Sequence, residues 1–144
     1  METQKMDLFN ERIQRVNDAV ALKETAKLPV VPLFDGVMYR LFGSSYRDSY
    51  YDFRKCGDAV IKFYEQYPVD AQVWLGFISG KANEVAGNTF IDWPGRPGTN
   101  ISIHSTHQVL EREVMYPEEY PELLKDFTGF MQNKYMPRMF SNLK

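Results

Sequence analysis

The sequence predicts an α/β protein whose parallel strands are joined by right-handed crossovers, and three observations carry that reading. An amphipathic helix occupies residues 53–67, apolar runs flank it at 28–34 and 69–78, and strand and helix signals alternate along the chain. Only two or three such units fit into 144 residues. The expected organisation is a single domain over residues 1–144, with a leading helical segment at 1–27.

Met6, Phe9, Ile13, Val16 and Val20 recur at alternating spacings of three and four, with charged residues such as Lys5, Glu11, Arg12, Arg15 and Asp18 at other positions. That pattern predicts a helix, and its narrow stripe suits an element lying across the outside of a larger body. The run at 28–34 reads as a strand, although Pro29 and Pro32 restrict it to a short or edge position because proline has no ladder donor. Asp35-Gly36 then turns the chain, and 37–42 form a helical turn stopped at Gly43.

Asp52 is placed to cap the next helix, whose face is made by Phe53, Cys56, Val60, Phe63 and Tyr67, widened by Ala59 and Tyr64. Pro68 ends it. The stretch 69–78 is the strongest strand signal, nearly all apolar after Asp70, as expected where helices cover both faces. A helix near 81–86 stopping at Gly87 and a short strand at 88–91 follow, and then Trp93-Pro94-Gly95-Arg96-Pro97-Gly98 forces a bend. Segment 107–115 fits helix or strand equally. Beyond Pro117, the apolar residues Leu123, Leu124, Phe127, Phe130, Met131 and Tyr135 predict two short helices separated near Asp126.

Composition excludes several function classes. The 17 Lys and Arg against 19 Asp and Glu, with no basic run, leave no electrostatic footprint for nucleic acid. The uncharged, mostly apolar stretch 71–80 is about half of a membrane span, and the N-terminus lacks the apolar core of a signal peptide, so a cytoplasmic location is expected. The single Cys56 permits no disulfide within the chain, which agrees with a reducing compartment. Nine Tyr and ten Phe imply either a well-filled core or an aromatic pocket.

Asp35 and Arg40 sit just past the first expected strand, where parallel α/β folds place ligand groups, and they are the first residues expected to touch a ligand. His104 and His107 have a metal-ligand spacing but no third ligand, and read better as hydrogen-bonding loop histidines. Cys56 lies on an apolar helix face without a histidine beside it, which suits packing better than nucleophilic chemistry. The glutamates 111, 113, 118, 119 and 122 read as a solvated acidic face. No phosphate loop, nucleophile elbow or Cys-x-x-Cys is present. The residues alone give no reaction.

The run Gly43-Ser44-Ser45-Tyr46-Arg47-Asp48, the helix leading to Tyr67-Pro68-Val69-Asp70-Ala71, and Gly87-Asn88-Thr89-Phe90 resemble the N-terminal portion of the uroporphyrinogen decarboxylase family. More distinctive are Asp92-Trp93-Pro94-Gly95, the segment from His107 to Met115 with its Gln108, Glu111, Glu113 and Met115, then Glu118-Glu119-Tyr120 and Tyr135-Met136-Pro137-Arg138. The resemblance covers about 28–140. It implies the first units of a (β/α)8 TIM-barrel-like fold, with a pocket at the carboxyl ends of the strands to which Trp74, Phe77, Trp93, Arg96 and His107 would contribute beside Asp35 and Arg40.

Departures from the family narrow the implied activity. Its decarboxylases carry an Arg-Gln-Ala-Gly-Arg segment where this chain has Asp35-Gly36-Val37-Met38-Tyr39-Arg40, and a pyrrole-binding aspartate where it has Phe77. A phenyl ring accepts no N–H bond, so porphyrinogen decarboxylation is not expected. The corrinoid-dependent methyltransferases of the family bind zinc through a His-x-Cys motif in the barrel's second half, and a barrel takes about 250 residues. The expectation is therefore an N-terminal barrel portion without the catalytic half, holding no cofactor itself, although zinc or a corrinoid partner would suit a full-length relative. The alternative is a non-enzymatic module that pairs with itself or a second subunit and can hold a small-molecule ligand. In either case an unpaired strand edge and an apolar face need covering, so a homo-oligomer or complementary subunit is expected, contacting it near the first strand or residues 127–140.

Overall fold

The computed structural model describes residues 2–33, 36–72 and 78–143, and helices dominate it. The elements are α1 (Glu2–Val20), α2 (Val37–Leu41), α3 (Tyr46–Tyr51), α4 (Phe53–Gln66), α5 (Gly80–Ala86), β1 (Ile91–Asp92), β2 (Gln108–Val109), α6 (Tyr120–Lys125), α7 (Phe127–Phe130) and α8 (Met136–Met139). A 3-10 turn at Pro117–Glu119 leads into α6, and a π-helical turn at Met131–Tyr135 joins α7 to α8.

This architecture overturns the expected fold class. The described sheet has two strands, and they are antiparallel, pairing Ile91 with Val109 and Asp92 with Gln108. Neither a parallel α/β sheet nor the TIM-barrel-like arrangement is present among the described residues, and the mostly helical class replaces them. The prolines explain the first miss. Segment 28–33 forms no strand: Pro29 and Pro32 cannot donate, and the described bonds that hold it run between Val30 and the Asp70 region. There the Val30 amide donates to Asp70 Oδ2 at 2.8 Å, and the Asp70 amide donates back to Val30 O at 2.9 Å. Of the second expected strand, residues 73–77 lie outside the described residues, and 69–72 and 78 carry no strand.

Helix signals translate more faithfully because their causes are local. Asp52 Oδ1 accepts the Lys55 amide at 3.0 Å and so caps α4, whose Cys56, Ala59 and Phe63 are buried, and which ends at Gln66 before Pro68. Ser45 Oγ accepts from the Asp48 amide at the start of α3, and Ser79 Oγ accepts from the Ala82 amide at the start of α5. Gly87 closes α5 in the left-handed region, φ 69°, a conformation that glycine adopts without strain. Asp126 separates α6 from α7 and caps the latter, its Oδ1 accepting from the Gly129 amide at 2.9 Å. No helix among the described residues is long and apolar enough to cross a membrane.

The chain divides into two compact units. One comprises Met1–Ser44 and Gly57–Gly76, with α1, α2 and most of α4. Its centre is aromatic: Phe63 is buried, with Phe42 edge-on at 6.2 Å, Tyr64 edge-on at 5.2 Å and Tyr67 tilted at 5.0 Å. The other comprises Ser45–Cys56 and Phe77–Lys144, with α3, α5, both strands and the C-terminal helices. Tyr50, Ile91 and Trp93 form its core, with Tyr51 and Phe90 packed alongside. The end of the chain is laced to 87–90: the Thr89 amide donates to Met139 O, the Ser141 amide to Gly87 O, and Phe90 meets Phe140 edge-on at 5.5 Å.

Candidate functional site

The second unit holds the densest polar and aromatic constellation, and it begins with the Trp93-Pro94-Gly95 turn. Trp93 is fully buried, and its indole Nε1 donates to the Tyr51 hydroxyl at 2.9 Å. That hydroxyl in turn donates to Glu84 Oε1 at 2.6 Å, and Lys81 Nζ reaches Glu84 Oε2 at 2.8 Å. A chain of hydrogen bonds therefore runs from a buried indole on the turn, through α3, to a surface lysine on α5. Gly95 is necessary here: its φ is 89°, and a Cβ would meet Arg47 Cγ at 2.8 Å and the Tyr51 ring at 2.9 Å.

The neighbouring residue Tyr50 stacks on Trp93 with centroids 6.1 Å apart, and its hydroxyl lies 3.1 Å from His107 Nδ1. Arg96 covers Trp93 at 4.9 Å from the ring while donating to Ile91 O and to Asn88 O, each at 3.0 Å. Asn88 is itself buried, accepting the Phe90 and Ile91 amides through Oδ1 and donating to Asn83 Oδ1 at 2.6 Å.

A second cluster ties the C-terminal helices together. Arg138 grips the Glu119 carboxylate through two nitrogens, at 2.6 and 2.7 Å, donates to Val114 O at 3.0 Å, and lies 5.0 Å from the Tyr116 ring centroid. Glu119 also accepts the Tyr116 amide at 2.9 Å. The Arg138 guanidinium, helped by that amide, holds the Glu119 carboxyl down at about 2.

The structure brings together three of the seven residues expected to bind a ligand, Trp93, Arg96 and His107, and gives them packing and hydrogen-bonding partners. Asp35, Trp74 and Phe77 lie outside the described residues, and Arg40 is an exposed residue in the last turn of α2, in the other unit. His107 makes the hydrogen bond expected of a loop histidine, while His104 is exposed. Cys56 is completely buried. No group of three or more His, Cys, Asp or Glu that could hold a metal ion exists among the described residues.

Sequence reasoning missed Tyr50, Tyr51, Glu84, Asn88 and the Glu119–Arg138 pair. Only the Tyr116 to Glu119 spacing, in which a carboxylate reaches back to an amide three residues earlier, was readable beforehand.

Comparison with protein-family models, curated proteins and solved structures returned no match. What the constellation can do must be read from its own chemistry.

Burial raises the Tyr51 phenol, the bond to Glu84 raises it further, and its proton is already committed to that carboxylate. The network ties the Trp93 turn to α3 and α5. The first unit presents something different. An apolar recess of about 520 Å³ opens between α2 and the end of α4, lined by Val37, Leu41, Phe63, Gln66, Tyr67, Pro68 and Val69. Its volume lies in the range of ligand sites and its polar groups are few, a combination that accepts apolar side chains or a small apolar molecule.

Proposed function

We propose that this chain is a uroporphyrinogen decarboxylase-like protein that works as a binding and assembly module, pairing with itself or a second subunit in the cytoplasm. The observation that carries the assembly reading is the open apolar surface of the first unit. Leu28, Val30, Val31 and Leu33 of the segment before α2 are exposed, as are Val37 and Leu41 beside the recess. Exposed apolar side chains of this kind are what a partner covers at an interface.

The decarboxylase-like part rests on the motif runs. Trp93, His107, Glu119 and Arg138, which carry the resemblance, each have a side-chain hydrogen-bond partner in the second unit. Motif residues tied into hydrogen-bond networks in this way suit a scaffold that presents a binding surface. Sedimentation velocity of the chain between about 5 and 500 μM is the test, because weak interfaces dissociate in that range. A sedimentation coefficient that rises with concentration is expected. A constant monomer value, with no binding of an apolar dye, would overturn the reading.

A further inference from the structure

We infer that the recess beside α2 is a binding site for a medium-chain alkyl carboxylate, whose chain lies against the apolar lining and whose head is held by donors and cations at the mouth. The inference deepens the binding part of the proposed function and names its ligand; it does not require self-association. Phe63 is buried at the recess, Val37, Leu41, Pro68 and Val69 are aliphatic, and no charged side chain is among the lining residues. A volume of about 520 Å³ exceeds what one side chain fills and lies within the range of small-molecule sites.

The polar groups of the lining can all donate. Gln66 Nε2 donates to the Tyr67 hydroxyl at 3.3 Å, which leaves Gln66 its second N–H and Tyr67 its own O–H for a ligand. Two exposed cations flank these donors. Arg40 precedes the lining residue Leu41 in α2 and lies about 60° round the helix from Val37, and Lys62 stands one turn before Gln66 in α4, about 40° round from it. Neither has an ion-pair or side-chain hydrogen-bond partner among the described residues. Helix α2 has no acidic residue, and Asp58 and Glu65 of α4 lie about 140° and 160° round from Phe63, away from the lining.

Charge therefore selects the head. Two cations and two neutral donors beside a lining without a carboxylate favour an anion that accepts hydrogen bonds. A carboxylate on an alkyl chain joins such a head to a body that the lining takes, whereas a cationic amphiphile of the same length meets like charge.

Isothermal titration calorimetry of the full chain with octanoate, decanoate and octylammonium, each below its micelle concentration, is the test. Decanoate should bind with a dissociation constant below about 1 mM, and octanoate roughly tenfold more weakly, because each buried methylene contributes roughly fourfold. Octylammonium should bind at least fivefold more weakly than octanoate. Arg40→Glu with Lys62→Glu, at exposed positions, should invert that order without changing the circular dichroism. Leu41→Asp, where the side chain is 58% exposed, should weaken decanoate at least tenfold. No binding of decanoate, an affinity indifferent to chain length or head charge, or one that neither variant changes overturns the inference. Such a result with a sedimentation coefficient that still rises with protein concentration leaves the assembly reading intact, and decanoate binding by a chain that stays monomeric at about 500 μM does the reverse.

Discussion

Tyr51 uses both capacities of its hydroxyl inside the protein, accepting from Trp93 and donating to Glu84. Tyr51→Phe would leave the Trp93 N–H buried without its acceptor, and should cost about 1–3 kcal/mol by urea denaturation. Tyr64 is the opposite case. Its hydroxyl is buried with no hydrogen-bond partner among the described residues, so Tyr64→Phe removes a desolvated group and should leave the midpoint unchanged or raise stability by up to about 1 kcal/mol.

Glu119 supplies a pH signature at the same scale. Its folded value of about 2 lies below the ordinary 4.5, so the Arg138 pair stabilises the folded state fully above about pH 4.5 and loses that contribution as pH falls toward 2. Glu119→Gln should therefore lower the melting temperature at pH 7, and the gap from wild type should close as the pH is lowered through that window. A gap independent of pH would mean that packing and not charge makes the interaction.

Among the elements, α5 is set by its ends. A Cβ on Gly87 would run into Ser141 Oγ and crowd Asn142, and φ of 69° disfavours any L side chain, so Gly87→Ala should destabilise the second unit by at least about 1 kcal/mol, measured by the same denaturation. The stop at Gly87 was legible in the sequence, as were the cap at Asp52, the break near Asp126 and the periodicities of α1 and α4, because each is written within a few neighbouring residues. The strands were not. An apolar run such as 28–34 specifies burial without specifying a partner, and the prolines in it remove the donors that a ladder requires. The β1–β2 pair was illegible from the other direction, since two residues on each side of a fifteen-residue connection leave no period to read. The networks around Trp93 and Arg138 join residues 19 to 57 positions apart, distances that local pattern does not encode.

At the scale of the whole chain, both units leave large apolar side chains exposed: Met6, Phe9, Leu28 and Leu33, with the recess beside α2, in the first, and Val109, Leu124 and Phe127 in the second. An apolar surface of that kind is covered by mass action, so its protection should depend on protein concentration. Hydrogen exchange followed by mass spectrometry at about 1 and 500 μM reads this segment by segment. Slower exchange at the higher concentration in α1 and in 28–33, with no change across 88–109 and 116–140, is the result expected of a module completed by a second copy. An exchange pattern identical at both concentrations, or one that slows first in the second unit, would contradict it.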